Sequence, residues 1–272
     1  MKRVVILGGG VGGTIVGNQL ARKLKKQIDR DEVSLTVVDQ LGDHVYQPGF
    51  MYIAFGHERA DKLSRPERSL LDSRVKLIIG EVARVDDKAQ TVELKNGQVL
   101  DYDQLVLATG SRILPELIEH FGTEAHHFYT AQAAQELRQA LDAFTGGKIV
   151  VAIAGMPYKC PPAPLEVSFL MEAELRQRGL RDKSEIHFCS PIGRAFTIES
   201  VSEMATPVLE QKGIELHTFF NVETIDPRAQ APTQPRRRRA PVRPPHPRAA
   251  APRRAVPDGL RTRTRARWLA AN

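Results

Sequence analysis

The stretch Val4-Val5-Ile6-Leu7-Gly8-Gly9-Gly10-Val11-Gly12-Gly13 constrains this chain more than any other. Four consecutive apolar residues read as a strand buried on both faces, as strands of parallel sheets are. They run into Gly8-x-Gly10-x-x-Gly13, and a helical segment follows from about residue 14 to residue 26. In such a strand–turn–helix each glycine has a mechanical task. Gly8 permits the tight turn, Gly10 lets backbone approach a pyrophosphate, and Gly13 lets helix pack on strand, with Gly12 completing the glycine-rich turn. The helix N-terminus then offers unpaired N–H groups and a positive dipole end to phosphates. Strand before and helix after are the context that makes the pattern a dinucleotide site.

The residues that follow extend the same unit. Val33–Asp39 is a second strand ending in an acid, where dinucleotide-binding folds place a carboxylate for the ribose hydroxyls. The turn-rich loop His44-Val-Tyr-Gln-Pro48-Gly-Phe50 comes directly after it, and loops at the carboxyl ends of parallel strands line the ligand crevice. From Val75 to Leu100 short alternating runs are split by Asp86-Asp87-Lys88 and Asn96-Gly97, which predicts a small antiparallel meander inserted at about 75–100. Leu105-Val-Leu-Ala-Thr109-Gly110 is a further buried strand.

Lys148–Gly155 repeats the opening theme, with a helix expected from about Ala163 to Gly179, a strand at Glu185–Cys189, a helix at Val201–Lys212 and further strand at Ile214–Thr224. Two βα units in one chain predict an α/β fold of two Rossmann-like domains with parallel sheets, at 1–145 and 146–230. The second glycine loop differs in chemistry. Aligned on the first, Gly155 takes the first glycine's place, Pro157 the second and Cys160 the third. A proline ring stands where a pyrophosphate needs close approach, and Pro157, Pro161 and Pro162 supply no N–H. This loop is expected to hold a nicotinamide dinucleotide poorly. It offers instead a thiol beside Lys159 near a helix start, features that raise a cysteine's thiolate fraction.

The net charge of +7 is unevenly placed. Residues 231–272 hold twelve Arg, no Lys and a single acid, Asp258, for a net of +11, which leaves residues 1–230 at −4. That Arg/Pro/Ala-rich tail has no hydrophobic period and is expected to be disordered, because it cannot bury enough apolar surface to offset its ordering entropy. Its abrupt, lysine-free composition fits a message read out of frame better than a selected basic arm, so nucleic acid is not the expected partner. No apolar run approaches the ~20 residues that cross a bilayer. No signal peptide is expected at the start. Two cysteines, Cys160 and Cys189, are too few for a disulfide framework and fit a reducing, cytoplasmic setting. No metal site is expected.

Together, Gly8-x-Gly10-x-x-Gly13, Asp39, Ala108-Thr109-Gly110 and Tyr158-Lys-Cys160-Pro-Pro-Ala-Pro-Leu-Glu166 resemble the sulfide:quinone oxidoreductases and their flavocytochrome c sulfide dehydrogenase relatives. The resemblance covers roughly residues 1–228, and the Cys-Pro-Pro-Ala-Pro stretch is its specific part. It implies bound FAD, hydrosulfide oxidised at a redox cysteine beside the flavin, and electrons passed to quinone. It also implies peripheral contact with the inner face of the membrane. By the same resemblance Gly8, Gly10 and Gly13 hold the FAD pyrophosphate and Asp39 the adenosine ribose. Pro48 lies near the flavin end, Val82 on the adenine side, and Thr109 and Gly110 along the cleft. Cys160 is the redox cysteine. The family's partner cysteine, its Gly-Asp flavin motif and its amphipathic membrane-contacting end have no counterpart here, so the familiar pattern is expected to stop near Arg228. Cys189, closing an apolar strand, is expected to be a packed core thiol. Two other readings stay open: an incompetent nucleotide-binding fragment, and an NADH:quinone or ferredoxin reductase-like flavoenzyme.

Overall fold

The computed structural model describes residues 1–122, 125–222, 224–226, 231–233 and 266–271. They form two compact units, residues 1–49 with 58–112, and residues 50–57 with the rest from 113 onward.

In the first unit the apolar run becomes β1 (Lys2–Leu7), the glycines lead into α1 (Val11–Lys23), and a short α2 (Lys25–Ile28) precedes β2 (Val33–Asp39). A small hairpin, β3 (Asp43–Val45) with β4 (Ser64–Pro66), precedes β5 (Val75–Ile79). The antiparallel β6 (Val82–Asp86), β7 (Thr91–Leu94) and β8 (Val99–Asp101) follow, and β9 (Gln104–Leu107) closes the unit. Strands β5, β2, β1 and β9 lie in that order in one parallel sheet. Its two faces explain the unbroken apolar strands. On one face Ile6, Leu35 and Val37 pack with Ala21 of α1 and Leu71, and on the other Val5, Leu7 and Val38 pack with Val92, Leu94 and Tyr102.

The meander is shorter than the sequence predicts. The run Val75–Val85 breaks at Gly80, whose N–H donates to the Asp39 carbonyl at 2.8 Å. The first half therefore continues the parallel sheet as β5, and only β6–β8 form the antiparallel layer.

The second unit contains α3 (Phe50–Ala54), β10 (Ala125–His126), α4 (Ala131–Asp142), β11 (Gly147–Ile153), α5 (Ala163–Gln177), β12 (Ser184–Cys189), α6 (Glu199–Gln211) and β13 (Ile214–His217). Ile214–Thr224, expected as one run of strand, is divided into β13 and a separate β14 (Thr224–Asp226), which pairs with β15 (Ala231–Thr233). Helix α4 lay unmarked in the sequence reading, and its Thr130 N-cap accepts from the Ala133 N–H at 3.2 Å. The five-stranded sheet is parallel throughout, in the order β10, β16 (Ala266–Ala271), β11, β12, β13. Of the stretch 231–272, expected to be disordered, β15 and β16 are described as strand, while the other residues of that tail lie outside the described ones. The physical reason is local: Trp268-Leu-Ala-Ala is an apolar run in an otherwise Arg/Pro-rich stretch, and β11 offers it a full parallel ladder. Among the described residues no helix is long and apolar enough to cross a membrane.

The turns that enter β11, β12 and β13 are tied by two guanidinium groups. Arg178 donates to the carbonyls of Leu141, Asp142 and Phe144 at 2.6, 3.3 and 2.9 Å. Arg181 donates to those of Ser184, Lys212 and Gly213 at 2.8, 2.8 and 2.9 Å. Orphan carbonyls at helix C-termini thus find cationic donors, which also suits the negative end of the helix dipole. Beside them Glu172, 1% exposed, accepts from Arg176 and, at 3.1 Å, from Lys212. Burial would raise its pKa, but the bonds and charges of Arg176 and Lys212 outweigh this and hold the carboxyl below its ordinary value.

Two outcomes are expected. Arg181→Ala should lower unfolding stability by roughly 2–3 kcal/mol in urea melts, and Arg181→Lys should recover little, because one ammonium cannot span three carbonyls. Because the folded pKa of Glu172 is depressed, its stabilising contribution is present above about pH 4.3 and disappears as the pH falls through the folded value. Wild type should therefore lose more stability than Glu172→Gln between pH 6 and pH 3.

Candidate functional site

Parallel topology brings the carboxyl ends of β1, β2, β5 and β9 to one end of the first sheet, since Leu7 aligns with Val38 and Leu107, and Asp39 with Ile79. Most residues singled out in the sequence therefore converge there: the Gly8–Gly13 turn after β1, Asp39 closing β2, Val82 after β5, and Thr109 and Gly110 after β9.

The turn is built on contacts only glycine permits. Gly8 has φ +104°, and a Cβ there would lie 2.3 Å from the Ala108 carbonyl oxygen. A Cβ on Gly13 would lie 1.8 Å from the Gly8 carbonyl oxygen, so α1 crosses β1 at backbone contact. Gly10 is different: it has φ −73°, and a Cβ would meet nothing within 4 Å. The fold itself does not require glycine at that position. The open space above it is what a pyrophosphate approaching the backbone would fill. Helix α1 has no side-chain cap and no acid in its first turn, so nothing there competes with an anion. The residues present fit a dinucleotide diphosphate.

Asp39 does more than end a strand. Its Oδ2 accepts from the Gly9 N–H at 2.8 Å, and its Oδ1 from the N–H groups of Leu41 and Gly42 at 3.0 and 2.7 Å. A carboxylate has about four acceptor positions, so room remains for a ribose hydroxyl. Pro48 sits exposed in the single 3-10 turn Gln47–Gly49. The Val82 side chain packs against the core under the sheet, leaving its backbone as the part able to face a ligand.

Three residues were missed. Thr14, His44 and a fully buried Glu67 form a polar cluster beneath the turn. Thr14 Oγ1 lies 2.7 Å from Glu67 Oε1, and His44 Nδ1 lies 2.9 Å from Glu67 Oε2. The Gly9 carbonyl is 3.0 Å from Thr14 Oγ1 and 3.1 Å from His44 Nδ1. Gly9 is thus held on both sides, by Asp39 at its N–H and by this cluster at its carbonyl, which sets the orientation of the turn before any ligand arrives. Glu67 was invisible because Arg65-Pro-Glu-Arg-Ser69 has the composition of a solvated loop.

In the second unit the Gly155–Cys160 loop precedes α5. Cys160 is exposed and has φ +54°, a left-handed conformation rare outside Gly and Asn. Its carbonyl accepts from the Ala163 N–H at 2.9 Å. Two phenols hold the flanking backbone: Tyr129 Oη donates to the Lys159 carbonyl at 2.9 Å and Tyr158 Oη to that of Pro161 at 3.4 Å. Burial, and secondarily the charge of a Cys160 thiolate, push both phenol pKa values up, so both stay protonated donors. Cys189 is packed with Val150, Ala152 and Phe220, and burial pushes its thiol pKa up as well. It is a core thiol, as its strand position suggested.

The family model described as pyridine nucleotide-disulphide oxidoreductase matches residues 2–239. The chain is 24% identical over 234 residues to mitochondrial sulfide:quinone oxidoreductase of Mus musculus, covering 84% of this chain and 50% of that protein. It is 31% identical over 153 residues to type II NADH:quinone oxidoreductase NdhA of Mycobacterium tuberculosis, covering 54% of this chain and 31% of that one. Its fold is similar to the crystal structure of sulfide:quinone oxidoreductase from Aquifex aeolicus, with TM-score 0.72 and 23% identity over 84% of this chain and 53% of that one. The chain spans about half the length of the curated relatives it matches. Since the family match extends from the first strand through the thiol loop and both units, the chain belongs to the pyridine nucleotide-disulphide oxidoreductase family.

Proposed function

We propose that this chain holds the FAD and the reactive thiol of an oxidoreductase of the sulfide:quinone type, which oxidises hydrosulfide and passes the electrons to a quinone. The first unit takes the flavin nucleotide. Gly8, Gly10, Gly12 and Gly13 with the α1 N-terminus would hold its pyrophosphate, Asp39 the ribose hydroxyls, and the Val82 backbone the adenine. Pro48, Thr109 and Gly110 would line the flavin side. The second unit carries sulfur chemistry in the place of a nicotinamide site. Quinone exchange from a peripheral position on the inner face of the membrane belongs to the same reading.

The observation that carries it is Cys160: an exposed thiol held at φ +54° in a loop whose Pro157, Pro161 and Pro162 cannot donate to a pyrophosphate. Backbone strain is tolerated where the surroundings over-determine it, and Tyr129 and Tyr158 do so here through the carbonyls on either side. In the proposed step a bond forms between Cys160 Sγ, as thiolate, and the sulfur of hydrosulfide, leaving a persulfide anion, one proton and two electrons. FAD, when bound, supplies the two-electron acceptor. The tyrosines keep the thiol presented to solvent and carry no proton in the step.

A second reading, an NADH:quinone reductase, is favoured by the likeness to the Mycobacterium tuberculosis protein. The two readings differ in which donor reduces the flavin. Under anaerobic conditions sulfide should bleach the ~450 nm flavin band of the purified protein and NADH should not. Cys160→Ser should slow sulfide bleaching at least 100-fold while leaving flavin content unchanged. Fast bleaching by NADH and none by sulfide would move the assignment to the NADH type. Colourless protein that releases no flavin on denaturation would leave only a nucleotide-binding unit without redox function.

The glycines can be tested separately from the thiol. Gly10→Val should still melt cooperatively, because its Cβ meets no protein atom, yet should cut FAD retention by tenfold or more. Gly13→Ala should prevent cooperative folding of the first unit altogether. Equal FAD retention in wild type and Gly10→Val would remove the pyrophosphate from this turn.

A further inference from the structure

We propose that His187, Glu215 and His217 form a binding site for a borderline divalent metal ion of the zinc class on the sheet of the second unit. The site is independent of the flavin and thiol chemistry. Strands β12 and β13 pair in parallel with His187 opposite Glu215, which places His187, Glu215 and His217 on one face of the sheet. Their ligand atoms cluster closely: His187 Nδ1 lies 3.0 Å from His217 Nε2, and the two oxygens of Glu215 face one imidazole each, Oε2 at 3.4 Å from His187 Nδ1 and Oε1 at 3.5 Å from His217 Nε2, with one ligand atom of each residue within 4.8 Å of the others. Ligands at ~2.0–2.1 Å from a tetrahedral ion stand about 3.3 Å apart, so each of these three separations is close to the spacing such an ion requires. Two imidazoles and one carboxylate are a donor set that suits zinc, with the fourth position left for solvent.

A second observation points the same way. On the far side of its ring, His187 Nε2 lies 3.4 Å from Glu185 Oε2, and that carboxylate is ion-paired with Lys148 Nζ at 3.0 Å. A carboxylate behind a histidine fixes the ring with its proton on the outer nitrogen and its lone pair on the inner one, the arrangement metal-ligating histidines use. With that tautomer, the converging inner groups of His187 and Glu215 are both acceptors. The one proton His217 Nε2 can bring does not satisfy both, and the half-exposed carboxylate otherwise turns to solvent. A divalent cation would instead take a lone pair from each of the three side chains. The two imidazoles are nearly buried, with side chains 5% and 7% exposed, while Glu215 is 56% exposed and leaves a way in from solvent. A bound ion would clamp β13, which lies at the edge of its sheet, to its neighbour.

The test is calorimetric titration of the full chain, stripped with chelator and exchanged into a non-coordinating buffer, with zinc chloride. Wild type should take up one equivalent at micromolar affinity or tighter, magnesium chloride should not displace it, and its melting temperature should rise with zinc. Glu215→Gln should weaken binding at least tenfold, and His217→Gln should abolish the site. If His217→Gln does not melt cooperatively, Glu215→Gln decides alone, since its side chain is largely in solvent. Zinc uptake that is absent in wild type, or unchanged in Glu215→Gln, would overturn the proposal and leave a cluster that holds a proton only.

Discussion

The approach of α1 to β1 is the constraint on which the first unit depends. With the Gly8 carbonyl occupying the space of any Gly13 side chain, helix and strand meet backbone to backbone, and the first turn of the helix is carried over the end of the sheet. Gly9 is then held at its N–H by Asp39, and at its carbonyl by a cluster in which Thr14 and His44 share their two protons between that carbonyl and the Glu67 carboxylate. These bonds fix the orientation of the turn without help from a ligand, which lowers the ordering cost of binding one there. Under the proposed function Asp39 would link this geometry to recognition, because the carboxylate that orients the turn is the same group that would meet a ribose.

Much of this was legible in the sequence because the responsible residues are close together in it. The unbroken apolar runs, the glycine spacing and the acid at the end of the second strand each follow from one strand or one turn. What was not legible depends on partners far away. Glu67 lies 53 positions from Thr14, and nothing in an Arg/Ser-rich loop says that its carboxylate is buried. The break at Gly80 was hidden because Val75–Val85 alternates plausibly throughout; the pairing of its first half with β2 decides the matter. Strand β16 stands 113 positions beyond the end of β11, inside a tail whose composition argues against order, and only the ladder reveals it. Thiol and core cysteine, by contrast, were separable from local pattern alone: one follows a glycine and precedes prolines, the other ends an apolar strand.

The two units use one architecture with different chemistry at corresponding loops. In the first, Gly10 leaves the approach to the backbone open. In the second, Pro157 stands in the equivalent place and Cys160 is turned outward under the restraint of two phenols. Gly155 would tolerate a Cβ without contact, so the second loop keeps space but loses the N–H donors that Pro157, Pro161 and Pro162 cannot supply. Exchanging N–H donors for an exposed thiol leaves the parallel ladder of β11 intact.

Arg178 and Arg181 give the second unit a mechanical polarity. Between them they join the three turns that enter β11, β12 and β13, all at the amino ends of the strands, while the thiol loop leaves from the opposite end. Local opening costs least where backbone groups lack such fasteners. The tied amino ends of these strands therefore form the restrained base on which the Gly155–Cys160 loop is mounted, and opening costs less at the carboxyl ends.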